Sequence, residues 1–341
     1  MRKLTALLTA FLLCVTVCVG CAMENPLNLN TEAGGERRFR LSIQKDISSD
    51  ASRGLDVFIA KVESLSEGRI KIEKSVCDDP IAALDAGSDL VFASNSEITR
   101  ANGDFLSYTS PFYFSDYTHL TITLNCEEFR EETGEKTSSL LGASSLAAFY
   151  GGSRMFLSNE SDILDVVQGW KEISVGIASD EDLLAVVLRS MGADVSERSQ
   201  TELMDLFLNG RLRTIDCGVT ELTRLSSGKV HDTQIYAYPS FHTAMINWLM
   251  ISDSTLASLD DFEQAVLTEA SAYAIAANDT AVREEEEKAL SYLGTLEIPL
   301  YEIRYSDFSA QADTAFQNEV RYRNLWDWQL HSELRSLALT S

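Results

Sequence analysis

Positive charge is the first thing the chain is short of: 28 Lys and Arg stand against 52 Asp and Glu, a formal net charge of −24. A surface of that sign repels phosphate backbones and anionic headgroups, which excludes nucleic acid and acidic membrane surfaces as partners. Cysteine is scarce too. Cys77, Cys126 and Cys217 are the only ones beyond the N-terminal stretch, and three thiols close at most one disulfide, so the fold is not a disulfide scaffold. The four histidines, His119, His231, His242 and His331, stand far apart without ligand spacing, which argues against a metal site. No Gly-x-Ser-x-Gly elbow, phosphate-cradling Gly loop or paired metal motif occurs, so an enzyme reading has no residues to stand on and no cofactor is implied. After the first residues no hydrophobic run approaches membrane-spanning length, and there is no internal repeat or low-complexity tract.

What the chain does have begins at its N-terminus. Arg2 and Lys3 form a basic n-region, Leu4 to Val19 an apolar h-region, and Val19-Gly20-Cys21 a small residue before a cysteine. This resembles the lipobox of bacterial lipoproteins, with Cys18 where such boxes usually carry leucine. Residues 1–20 are therefore expected to be a signal peptide and Cys21 the lipidated residue. Cleavage there removes two basic residues and no acid, taking the charge from −24 to −26. Residues 21–37 are polar and aperiodic, as a tether is, with the protein held at a membrane on the periplasmic side.

From Arg38 the texture changes. "RFRLSIQ" alternates as a strand does, and Asp50 offers an N-cap to a helix with Leu55, Phe58, Ile59, Val62 and Leu65 on one face, ending at Gly68. "RIKIEKSV" alternates again, Asp79-Pro80 opens a short helix, and "DLVFAS" reads as a buried strand. That order predicts a parallel sheet with helices on its faces. "EISVGIAS", a helix capped by Asp180, the helix "TELMDLFLNG" and the strand "LRTIDCGV" predict a second such unit. Ser258-x-x-Asp261 reads as a capping box opening a helix to Gly294, too long for a globular helix without a kink. Glu284 to Glu287 on it read as a solvated face, "LEIPLYEI" as a strand, and the tail from Ser309 as helical and aromatic.

Several stretches carry a family resemblance: "LDVFIAKVESLSEGRIKIE", "YTSPFYFSD", "GGSRMFLSN", "MGADVSERSQTELMDLFLNGRLRTIDCG" and "FHTAMINWLMISDSTLASLDDFEQ". In order and spacing the chain from about 38 to 330 resembles the substrate-binding subunits of tripartite ATP-independent periplasmic (TRAP) transporters. The resemblance implies an α/β fold of two periplasmic-binding-protein-like lobes, joined by crossing strands and a long kinked helix, that close on a ligand in the cleft. Lobe I is expected at 38–152 plus 240–280, lobe II at 153–239 plus 281–325, and a helical tail at 326–341. It also implies delivery of a small-molecule ligand to a TRAP permease and, in some such systems, a tetratricopeptide partner.

The departures bear on the ligand. Most members clamp a carboxylate with an arginine; the register places Gly176 there, with Ser174 as the alternative, and no arginine lies between Arg154 and Arg189. A ligand-facing asparagine becomes Cys217 beside Asp216, an acidic contact becomes Ser94, and a first-strand asparagine becomes Gln44. An arginine fork matches a carboxylate bidentately, so its loss costs on the order of tenfold to several hundredfold in affinity for an acid. An apolar or weakly acidic ligand is expected instead, gripped by Phe112, Tyr113, Phe156 and Trp170. Of the run Tyr108, Phe112, Tyr113 and Phe114, some are expected to pack and one or two to face the cleft. Two readings of Arg154 stand: a buried pair with an acid at the lobe junction, or a secondary ligand contact. His242 reads as a satisfied interior histidine, and Cys217 as buried and inert. A second reading of the whole keeps the fold but makes the protein a non-transport lipoprotein serving as an interaction platform.

Overall fold

The structure, a computed structural model, describes residues 36–45, 47, 52–101, 110–161, 164–179, 181–225 and 234–337. The signal peptide, the lipid site Cys21, nearly all of the tether, the caps Asp50 and Asp180, Tyr108 and His231 lie outside the described residues.

β1 (Arg37–Gln44) buries Phe39 and Leu41 while Arg38 and Arg40, alternating with them, stay exposed, the period-2 pattern of a strand. α1 (Arg53–Leu65) buries Leu55, Phe58 and Val62, one helical face. The chain turns at Gly68, φ +78°, into β2 (Ile70–Cys77), which lies parallel to β1. Asp79 caps α2 (Pro80–Asp85) by accepting from the Ala82 amide at 2.9 Å, with proline where no helical donor is needed. The buried β3 (Leu90–Ser94) then pairs parallel with β1. α3 (Asn95–Ala101), α4 (Tyr117–Asn125) and α5 (Glu127–Leu141) follow, α4 capped by Asp116 and α5 ended by Gly142 at φ 61°.

β4 (Ala143–Ser158) decides the architecture. Its first part pairs antiparallel with β9 and its last part with β7 and β8, so one strand belongs to both halves of the sheet. The second unit is β5 (Ser174–Ala178), α6 (Asp182–Ser190), β6 (Asp194–Arg198), α7 (Gln200–Leu208) and β7 (Thr214–Gly218), with β5 parallel to both β6 and β7. β8 (Tyr236–Tyr238) is short, and β9 (Ala244–Ser252) closes the sheet in the order β2-β1-β3-β9-β4-β7-β5-β6. α8 (Asp253–Leu256), α9 (Asp261–Thr295), α10 (Tyr305–Asn318), α11 (Val320–Leu325) and α12 (Trp328–Ser336) complete the chain. α9 runs 35 residues as one uninterrupted helix.

Two sequence expectations are corrected, and one strand is found that the sequence did not predict. The capping box opens two residues late: Asp260 accepts from the Glu263 amide at 2.8 Å, and the longer Glu263 side chain reaches back to the Asp260 amide at 3.1 Å. Ser258 bonds the Thr255 carbonyl instead. "LEIPLYEI" forms only an isolated parallel bridge, Leu300 to Ala237, because Pro299 has no N–H to continue a ladder. β6 is a strand that polarity concealed, an edge strand with Asp194, Glu197 and Arg198 exposed.

The core is layered on the sheet. In the first lobe Val91, Ala93, Tyr113, Ile246 and Trp248 form one cluster. In the second, Val175 and Ile177 face Trp170, Leu184 and Phe308, while Ile215 and Cys217 face Leu203, Phe207 and Leu293 on the opposite side. Strand alternation puts Asp216 on the other face from Cys217, which sets up the site.

Candidate functional site

Where β4 passes from β9 to β7, Arg154 stands opposite Gly218 and Phe156 opposite Asp216. The Arg154 guanidinium donates from Nε to both Asp216 oxygens, at 2.9 and 2.8 Å, and from Nη2 to Oδ2 at 2.5 Å. Asp216 is fully buried and Arg154 is 6% exposed. His242 closes the group: its Nε2 donates to Asp216 Oδ1 at 3.0 Å and its Nδ1 accepts from the Ser240 hydroxyl at 2.6 Å. The imidazole lies flat on Phe156, centroids 4.0 Å apart and 11° between planes.

Charge follows from this packing. Burial pushes the Asp216 carboxyl up, but the Arg154 charge and the His242 bond outweigh it and hold it below the usual carboxylate range. Burial pushes His242 down despite Asp216, which keeps the imidazole neutral near pH 7. For Arg154 burial acts downward, yet Asp216, Glu181 and Glu221 hold the guanidinium charged.

Arg154 also borders a cavity of about 230 Å³ whose walls come from α4, β4, the link before β9 and α9. α4 supplies Tyr117, β4 supplies Tyr150 and Ser153, the link before β9 supplies Phe241, and α9 supplies Arg283 and Glu286. Gly152 stands at the bulge in β4 with φ +107°, a backbone conformation that glycine adopts without strain. Glu286 accepts from the Ser153 amide at 2.6 Å, the Ser153 hydroxyl at 2.7 Å and the Tyr150 hydroxyl at 2.9 Å. Tyr117 donates to Asp279 at 2.9 Å. Burial and these carboxylates push both phenols up, so both stay protonated donors.

The family of bacterial extracellular solute-binding proteins, family 7, matches residues 49–323. The chain belongs to that family. Its fold is that of TRAP periplasmic solute-binding proteins. One from Escherichia fergusonii, an apo open structure, superposes with TM-score 0.73 at 18% identity, over 88% of this chain and 99% of that one. One from a Sulfitobacter strain with bound β-D-galacturonate gives 0.64 at 15% identity, over 88% and 99%. The sugar acid binding protein of Advenella mimigardefordensis, in complex with galactonate, gives 0.66 at 17% identity, over 90% and 99%. No curated protein matches.

In this family-7 solute-binding protein the expected site residues fall into three places. Arg154 and Asp216 meet in a buried pair, one of the two readings of Arg154, while Arg154 also borders the cavity, and His242 is the satisfied interior histidine expected. Gln44 and Ser94 meet each other at the ends of β1 and β3, the Gln44 side-chain oxygen accepting from the Ser94 amide at 2.8 Å, away from the cavity. The remaining residues pack in the core. Phe112 lies between His242 and Phe308, Tyr113 donates to the His331 carbonyl, and Trp170 packs on Phe156 and donates to the Leu164 carbonyl. Phe156 is covered by His242, and Cys217 faces the Leu203–Phe207 cluster, its thiol pushed well up by burial. A Cβ on Gly176 would meet Leu212 and Leu203 at 2.5 and 2.6 Å, so that position points into the core.

Sequence reasoning missed Tyr117, Tyr150, Phe241, Arg283 and Glu286. One signal was available. Glu286 falls on the helical face of Val282, Ala289 and Leu293, all buried, so the acidic run is not uniformly a solvated face.

Proposed function

We propose that the protein captures a small organic solute in the cavity between its lobes and hands it to a TRAP-type permease. The cavity carries the reading. It is walled by Tyr117 and Phe241 on one side, Val219 and Leu290 on the other, and by β4 and α9, which cross between them. A solute touching both sides gains contacts only when the lobes approach, and that difference in contact shifts the population toward closure. The partner exchange along β4, from Ser153 paired with Ala244 to Arg154 paired with Gly218, supports a lobe boundary one residue beyond the expected 152/153.

The solute proposed presents an apolar face to aromatic rings rather than a carboxylate to a free guanidinium fork. Two nitrogens of Arg154 are committed to Asp216, and the aromatic walls are Tyr117, Tyr150 and Phe241 instead of the four expected rings. Anchoring through Cys21, and a tetratricopeptide partner of the kind some TRAP systems use, belong to the same proposal and rest on the sequence resemblance alone. The test is uptake: deletion of the gene abolishes import of the solute that native mass spectrometry finds on the purified protein, and unchanged import rejects the reading.

A further inference from the structure

The cavity is ringed by π-systems and dominated by negative charge. Tyr117 meets Tyr150 edge to face at 5.2 Å, and Tyr150 stacks on Phe241 at 6.2 Å. Both tyrosine hydroxyls donate to carboxylates, which leaves their rings electron-rich. Such ring faces attract cations. The protein already uses one in that way: the Arg283 guanidinium lies 4.6 Å from the centroid of the Tyr117 ring.

Carboxylates dominate the surroundings. Glu286 and Glu287 line the cavity, Asp279 holds Tyr117, and Asp216, Glu181 and Glu221 act on Arg154. The lining itself is balanced, Arg154 and Arg283 against Glu286 and Glu287, and the excess of acid comes from carboxylates bonded behind it, Asp216 on Arg154 and Asp279 on Tyr117. Asp216 cancels the Arg154 charge, with Glu181 a further 3.9 Å contact, so the balance left around the cavity is negative, in a chain whose whole field has the same sign. An anion entering would be repelled both at a distance and at contact, and a cation drawn in. Glu286 is placed to receive it. Its Oε1 takes both Ser153 donors and shares the Tyr150 hydroxyl, whereas Oε2 takes only that hydroxyl among the described residues and so has acceptor capacity left. At about 230 Å³ the space lies below the ~300–1,000 Å³ of drug-sized ligand pockets, which limits the occupant to a small molecule.

We infer that the captured solute is a small organic cation, its ammonium group held against Tyr117, Tyr150 and Phe241 with the Glu286 carboxylate as counter-ion. The inference rests on the capture reading and names its ligand class.

The test titrates the purified full chain calorimetrically with choline, phenethylammonium and phenylacetate, the last matching the second in size with opposite charge. At least one cation is expected to bind about tenfold or more tighter than phenylacetate. Glu286→Gln weakens that binding about tenfold, a charged hydrogen-bond partner being lost. Because Glu286 also braces Ser153, two variants at exposed positions accompany it: Glu287→Gln weakens cation binding and Arg283→Ala strengthens it. Cation binding that none of the three variants changes overturns the inference. Phenylacetate binding without cation binding overturns it and leaves solute capture standing. No binding of any probe, with no solute carried through purification in native mass spectrometry, overturns both; a carried cation supports the inference, and a carried anion overturns it.

Discussion

Arg154 and Asp216 form a buried ion pair that ties β4 to β7, Nη2 to Oδ2 at 2.5 Å, with His242 on the second carboxylate oxygen. Removing one partner strands the other charge out of water, which costs about 3–5 kcal/mol, whereas exchanging both for apolar residues is often close to neutral. Asp216→Ala is therefore expected to lower the urea-unfolding free energy by about that amount, and Arg154→Met with Asp216→Leu by much less. Equal losses in the single and double variants would show that the pair is not the source of the cost.

The same group predicts an acid-side loss of stability. Burial lowers the folded pKa of His242, and of His119 likewise, below the ordinary histidine value near 6.5. Below that value the unfolded chain binds protons that the folded chain refuses, so the contribution is present above pH ~6.5 and is lost as pH falls through the folded pKa values. Each histidine adds at most about 1.4 kcal/mol per pH unit to the slope. His242→Gln keeps a side-chain N–H for Asp216 and cannot titrate; its unfolding free energy should fall less steeply between pH 7 and 5.5 than that of the parent.

Restoring the family arginine at its expected place should fail. The Gly176 Cβ direction runs into Leu212 and Leu203 at 2.5 and 2.6 Å. Gly176→Ala is expected to cost about 1–3 kcal/mol by overpacking, and Gly176→Arg more, because the guanidinium would be buried in an apolar cluster. Chemical denaturation measures both. A stable Gly176→Arg protein that gains affinity for succinate would mean that this position opens to the ligand.

Anchoring through Cys21 predicts that metabolic palmitate labels the protein and that Cys21→Ser releases it from the membrane fraction. Unlabelled protein, or protein soluble before the substitution, would mean an ordinary secretory signal.

The first lobe was largely readable from sequence, because its strands alternate and its helices carry one apolar face; Phe39, Leu41, Phe58 and Val62 lie buried as their spacing requires. α4 and α5 were not readable: α5 holds its buried face with Thr133, Thr137 and Phe129, a stripe too polar to stand out. Of the site, a buried acid partner for Arg154 was one of two readings left open, and nothing in the sequence singled out Asp216 as that partner. The aromatic walls were not foreseeable. Tyr117, Tyr150 and Phe241 are separated by long stretches of chain and come together only when β4 crosses between the lobes and α9 packs over its bulge. The expected rings, Phe112, Phe156 and Trp170, are drawn into the core by one another and by His242, which no local pattern records.

The claim on which the rest turns is that this cavity captures a solute without a carboxylate clamp. Calorimetric titration of the purified protein with galacturonate and succinate, at low and at physiological salt, tests it most directly. No saturable binding of either acid in the millimolar range is the result predicted. Micromolar binding that weakens as salt rises would contradict it, since that signature belongs to a guanidinium reaching an anion.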